Sequence, residues 1–251
     1  NQDDALYLDA CGQVNGNLMY RFPGSWFVLL DPAAENLRKW DAGNYLGTFK
    51  GTGSLRIDEQ QTVSGMISVK SMFSLNLFPL ASSDTKALAK LFSSTLPVSA
   101  ITDTKVTKNF IRETTGEVNI KWDKALTEIA TNEFSFTIPQ SVASITNWSL
   151  LPWLNQERST PVNLTSPFSE YIELKIELPE GYSLKNTRSV KIEKDFGSMI
   201  ISFVQQGNTV TIKRGMEILP VVILSSSYQD FRDMLVQYSL PDNMRLVLQK
   251  K

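Results

Sequence analysis

Apolar and polar positions alternate with a period of two along most of this chain, and only two stretches switch to helical spacing. The clearest alternation is Tyr171-Ile172-Glu173-Leu174-Lys175-Ile176-Glu177-Leu178. Ile172, Leu174, Ile176 and Leu178 point one way and the charged residues the other, which predicts a strand with one face on a core and one in water. Val190 and Ile192 repeat the pattern. Met199 to Val204 and Thr209 to Lys213 predict a hairpin around Gln206-Gly207-Asn208, and Met216 to Leu224 reads as a further apolar strand. Upstream, Tyr45 to Asp58 and Thr62 to Phe73 predict a long hairpin about the polar turn Asp58-Glu59-Gln60-Gln61. Gly65 inside the return strand marks a bulge or close packing. Thr104 to Glu113, Glu117 to Trp122 and Thr127 to Ile138 read as three strands, with a turn at Thr115-Gly116 between the first two. Ala5 to Ala10 and Ser25 to Leu30 read as buried strands near the start, and Met244 to Leu248 as the closing strand.

The helical stretches are short. Leu88, Leu91 and Phe92 share a face behind Ser83 or Asp84, either of which can cap the first turn. A second helix opens at Ser227-x-x-Asp230, a capping-box-like start, and buries Tyr228, Phe231, Leu235 and Tyr238. Pro241-Asp242-Asn243 ends it. Between 140 and 166 the pattern breaks into Pro, Ser, Thr and Asn with Trp148 and Trp153, which reads as a linker or long connection with a boundary near 155–165. The fold class expected is mainly β, an all-β or α+β chain: antiparallel β-sandwich-like sheets in two subdomains, with about two short helices. The boundaries expected are 1–40, 41–154 for a β-rich middle domain with one helix, and 155–251 for a C-terminal β-sandwich-like domain.

Composition narrows the chemistry. The 251 residues are 42% hydrophobic and 20% charged, enough to bury a sizeable core. Lys+Arg number 25 and Asp+Glu 26, so there is no basic excess to neutralise phosphates, and no nucleic-acid partner is expected. The histidine count is 0, which removes Ser-His-Asp and Cys-His catalysis and His-ligated metal within this chain. A single cysteine, Cys11, excludes an intrachain disulfide and a multi-cysteine zinc site. No metal and no cofactor is expected. No apolar run approaches the ~18–20 residues of a membrane span, and the polar opening Asn1-Gln2-Asp3-Asp4, close to a strand-like run, suggests a piece of a longer protein.

Candidate chemistry is sparse. Gly51-Thr52-Gly53 lacks the third glycine and the following helix of a nucleotide cradle. Asp58-Glu59 reads as a solvated turn. Cys11 has no base on the chain to form its thiolate. Trp148 and Trp153 are the ligand-binding candidates, because indole rings in a polar segment stack on sugars; the same rings also serve to pack an interface. Two glycosylation-type sequons, at Asn147 and Asn163, acquire meaning only in a eukaryotic secretory setting.

An ordered set of short motifs adds to this. Arg158-x-x-Pro161-Val162, Leu178-Pro179-Glu180-Gly181-Tyr182, the strand Thr209 to Arg214, Tyr228-x-x-Phe231-Arg232 and the closing Leu246-Val247-Leu248-Gln249-Lys250 span residues 155–251. Together they resemble the final β domain of bacterial transglutaminase-like proteins, which have a papain-like core with flanking β-sandwich domains. Tyr7-Leu8-Asp9-Ala10 resembles the strand that supplies the triad acid of that core. Phe22-Pro23-Gly24 and Trp26 to Leu30 look like its end. The resemblance implies that residues 1–40 are residual core strands and that Asp9 occupies the triad-acid position, inactive alone. The catalytic Cys and His would lie before residue 1, so the core itself would be the partner. It further implies a bacterial exported setting, periplasmic or cell-surface. The function expected is that of a non-catalytic accessory or scaffolding region, not an enzyme. The alternative is a β-sandwich module that binds a carbohydrate through its Trp residues or a peptide along an exposed strand edge.

Overall fold

The computed structural model describes residues 26–27, 38–39, 46–72, 92, 95–110, 113–140, 157–164, 167–219 and 222–251. Strands dominate these residues, as the period-two pattern predicts. One sheet has eight strands: β3 (Gly47–Ile57), β4 (Val63–Met72), β5 (Ile101–Phe110), β6 (Glu113–Trp122), β10 (Phe168–Glu177), β12 (Arg188–Lys194), β13 (Gly197–Gln206) and β14 (Thr209–Ile218). They lie in the order β12-β13-β14-β10-β3-β4-β6-β5. A second sheet, ordered β11-β16-β8-β7, holds β7 (Thr127–Ala130), β8 (Glu133–Thr137), β11 (Tyr182–Leu184) and β16 (Arg245–Lys250). Two small ladders pair β1 (Trp26–Phe27) with β2 (Arg38–Lys39), and β9 (Val162–Asn163) with β15 (Val222–Ile223).

Neighbours in the eight-stranded sheet are antiparallel except at its centre, where β10 and β3 run parallel from Phe168↔Gly47 to Glu177↔Arg56. This pairing joins two antiparallel groups, one on each side of the boundary expected near 155–165. Across the same boundary, β16 pairs with β8 from Arg245↔Thr137 to Gln249↔Glu133.

One face of the large sheet is mainly apolar because most alternate residues of its strands are apolar. Leu55, Ile67, Val118, Leu174, Ile201 and Ile212 are all buried there in one continuous core. The second sheet packs over part of this face, with the Trp122 ring of β6 5.9 Å from the Phe136 ring of β8, while Phe134 and Tyr182 meet at 5.8 Å within the second sheet itself. The helix α1 (Tyr228–Ser239) covers another part through Tyr228, Phe231, Met234, Leu235 and Tyr238. Its Phe231 meets Phe196 edge-on at 5.8 Å.

Several local expectations change. Thr115-Gly116 is not a turn: both residues lie inside β6, where Gly116 pairs with Val69 and Val106, and the antiparallel ladder of β5 and β6 ends with Phe110 opposite Glu113. The run from Thr127 to Ile138 is two strands, because Asn132 takes a positive φ of 60° and turns the chain. Met216 to Ile218 extends β14, leaving only Val222–Ile223 as the separate strand. Ser227 makes no side-chain cap. It closes a 3-10 turn from Ser225, and its backbone N–H donates to the Leu224 carbonyl at 3.0 Å. The first expected helix lies largely outside the described residues.

Gly65 resolves to close packing. Its register with Leu55 is unbroken, yet it holds φ +145°, and a Cβ there would stand 2.1 Å from the Ser54 carbonyl oxygen. A side chain would therefore meet both backbone strain and a backbone atom that cannot move aside. Gly65→Ala is expected to cost about 2–4 kcal/mol in urea unfolding. Gly181→Ala, at φ +80° with open space around it, is expected to cost about 1 kcal/mol. Equal losses would show that strain alone acts at Gly65.

Candidate functional site

Of the residues singled out by sequence, Asp9, Cys11, Trp148 and Trp153 lie outside the described residues. Gly51-Thr52-Gly53 is the middle of β3 and not a loop. Asp58 serves its own turn: its Oδ1 accepts from the Thr62 N–H at 2.8 Å, and its backbone pairs with Thr62 and Gln61 at 3.0 Å each. The motif residues from 158 onward hold packing positions. Arg158 lies 6.0 Å from the Tyr228 ring, and Tyr182 closes the Pro179-Glu180-Gly181 turn with its N–H on the Pro179 carbonyl. Among the described residues, no group of three or more His, Cys, Asp or Glu side chains gathers as a metal site.

The structure instead assembles a buried polar cluster that the sequence reading missed. Glu170 and Arg214 share the inward parity of their strands, beside Ile172 and Ile212, and both are almost fully buried. Arg214 Nη2 donates to the backbone carbonyl of Tyr238 at 2.7 Å, and its guanidinium stands 4.4 Å from the Tyr238 ring centroid. The Tyr238 hydroxyl donates to Glu170 Oε1 at 3.4 Å. Burial first, and then the Glu170 carboxylate, push the Tyr238 phenol far above its ordinary pKa, while Arg214 acts the other way. The phenol is therefore a fixed donor. The cluster ties the last turn of α1 to the centre of the sheet, and it is sealed beneath that helix. The missed signal is a pair of opposite charges at core parity on neighbouring strands.

The other face of the large sheet is solvated and polar. At its centre, across β4, β3 and β10, lies a depression of about 370 Å³ lined by Thr52, Ser54, Met66, Ser68, Glu173 and Lys175 around the backbone of Gly53. The register explains the hollow. Thr52 stands between Ser68 and Glu173, and Ser54 between Met66 and Lys175, so short hydroxyl side chains form the floor and long ones the walls. The Tyr171 hydroxyl donates to Glu173 Oε2 at 2.9 Å. The Tyr171 ring covers Gly215, where a Cβ would come within 2.8 Å of it. Partial burial and the Glu173 carboxylate push the Tyr171 pKa up to about 12. Farther along the face, Lys108 at 3.0 Å and Lys70 at 3.3 Å flank Glu113. The bond from Lys108 leads in holding that carboxyl below its usual range, with Lys70 adding to it against a desolvation cost.

The described residues thus define a two-layer, mainly β module with a polar outer face and an inner face closed by a second sheet and one helix. Residues 133–248, which run from β8 into β16, match the model of a family described as a domain of unknown function with a solved structure, DUF3858. A crystal structure from Parabacteroides distasonis, described as that of a "putative protease", is similar at 21% identity and a TM-score of 0.40 over 52% of this chain. The match takes in 28% of that protein, so the chain spans just over a quarter of its length. No curated protein matches the chain.

Two measurements check this geometry. In ultraviolet titration the wild-type minus Tyr171→Phe difference is expected to show one phenol ionising near pH 12, and Glu173→Gln should move it toward the ordinary value of ~10. A raised phenol pKa stabilises the fold fully below the unfolded pKa of ~10, and that stability is lost as pH rises toward 12. A Tyr171 that titrates with the exposed tyrosines would refute the bond. For the inner cluster, Arg214→Met is expected to lower stability by about 2–4 kcal/mol and Tyr238→Phe by about 1 kcal/mol. Equal or negligible losses would show that the cluster does not hold α1.

Proposed function

We infer that this chain is a non-catalytic accessory module, which scaffolds or presents a transglutaminase-like or cysteine-peptidase-like core. The observation that carries the reading is how several of the described ionisable side chains are used by the fold. Asp58 serves a turn, Glu113 pairs with two lysines, and Glu170, Arg214 and Tyr238 meet in a cluster closed under α1. The whole sequence carries 0 histidines, and its single cysteine, Cys11, has no imidazole to activate it. A rigid two-layer body of this kind supplies shape and surface to a neighbouring active site. The resemblance of the flanking motifs supports the core as partner, Asp9 as its triad acid, and a bacterial periplasmic or cell-surface setting. Among the described residues, no helix is long and apolar enough to cross a membrane.

Two results test this. The purified chain, given a glutamine-bearing acceptor protein with a primary-amine donor, and separately a peptide-hydrolysis substrate, is expected to show no turnover. Turnover that Cys11→Ala abolishes would overturn the reading. The reading frame upstream of Asn1 is expected to encode a Cys and a His at transglutaminase-like positions. A native start at Asn1 would remove the proposed partner.

A further inference from the structure

We propose that the depression on the outer face of β4, β3 and β10 is a binding site for a neutral oligosaccharide. Unspent hydrogen-bonding capacity converges on it. Among the described residues, the hydroxyls of Thr52, Ser54 and Ser68 and the ammonium of Lys175 make no hydrogen bond or ion pair. Glu173 uses Oε2 to accept from Tyr171 and keeps Oε1 free. That bond also fixes the carboxylate in place, so it faces a ligand without an ordering cost of its own.

The chemistry of the lining selects the class of ligand. One carboxylate and one ammonium leave it without net charge, so neither an anion nor a cation gains from binding there. Three hydroxyls each donate and accept, which matches a ligand that itself carries many hydroxyls. Met66 is 41% exposed among the polar side chains that line the hollow, and its thioether offers a soft surface to the C–H face of a sugar ring. An extended peptide fits less well. β3, β4 and β10 are interior strands whose backbone groups are already paired on both sides, so strand addition has no free edge here. The volume of about 370 Å³ falls within the ordinary range of small-ligand clefts. The hollow is shallow, and millimolar affinity is the expected order.

The test is a backbone-amide NMR titration of the whole chain with cellohexaose, xylohexaose and fully N-acetylated chitohexaose, each to about 10 mM. Shifts are expected with at least one of them, confined to the amides of residues 51–54, 66–68 and 172–176. Ser54→Phe fills the floor and is expected to weaken binding at least about tenfold with an unchanged melting temperature. If Ser54→Phe fails to fold, Thr52→Val removes one hydroxyl at nearly constant volume and is expected to weaken binding about threefold to tenfold. The proposal is overturned if none of the three hexaoses shifts these amides, or if the shifts fall elsewhere on the chain. It is equally overturned if the variant that folds binds as the parent does, or if a Lys/Glu hexapeptide shifts these amides and the hexaoses do not.

Discussion

The parallel pairing of β3 with β10 is the constraint on which the rest of the molecule depends. Parallel neighbours need long crossover connections, and here the chain forms and closes a whole antiparallel group between the two strands. Because the pairing is in register from Gly47 to Arg56, the inward residues of both groups fall on one continuous face. A slip of one residue would turn Leu55 and Ile57 outward and bring Arg56 into the core. The second sheet and α1 have a place to pack only because that face is unbroken. The outer depression sits over the same seam.

Polar groups divide between the two faces according to what each can solvate. Outside, lysines, glutamates and hydroxyl residues remain in water, where ion pairs such as Lys70 with Glu113 contribute little to stability. Inside, Arg214 and Glu170 leave water, and Tyr238 meets them through its ring, its carbonyl and its hydroxyl, while Arg214 Nε and Nη1 make no hydrogen bond among the described residues. The inner cluster fixes where α1 sits, and the outer polar face stays open to a ligand or a neighbouring domain. The sheet edges are blunted. β5 carries lysines and two register shifts, β7 carries a shift of its own, β11 has only 3 residues, and β12 alternates charged side chains. Each of these features discourages pairing with another chain.

Much of the strand content was legible because burial on one face imposes a period of two. The run from Tyr171 to Leu178, the hairpin around Asp58 to Gln61 and the hairpin around Gly207 stand where the alternation and turn residues place them. The buried face of α1 was equally legible from Tyr228, Phe231, Leu235 and Tyr238. Misreadings arose where a local signal has two physical meanings. Thr115-Gly116 is turn-like in composition, yet a buried strand with close neighbours also admits glycine. Ser227 has the chemistry of a helix cap, but the preceding 3-10 turn directs the chain into the helix without it.

Alternation, turn chemistry and the total lack of imidazole are one-dimensional properties, and the sequence alone determined them: a mainly β chain with no histidine-based catalysis of its own. Which strands become neighbours is a different kind of quantity. The β3–β10 and β8–β16 pairings join residues far apart along the chain, and no local pattern specifies the partner of a strand. Tertiary structure therefore decided that Glu170, Arg214 and Tyr238 meet, and that Thr52, Ser54, Ser68, Glu173 and Lys175 surround one hollow. The physical reason is that side chains from separate strands come together only after the backbone ladders have chosen their register.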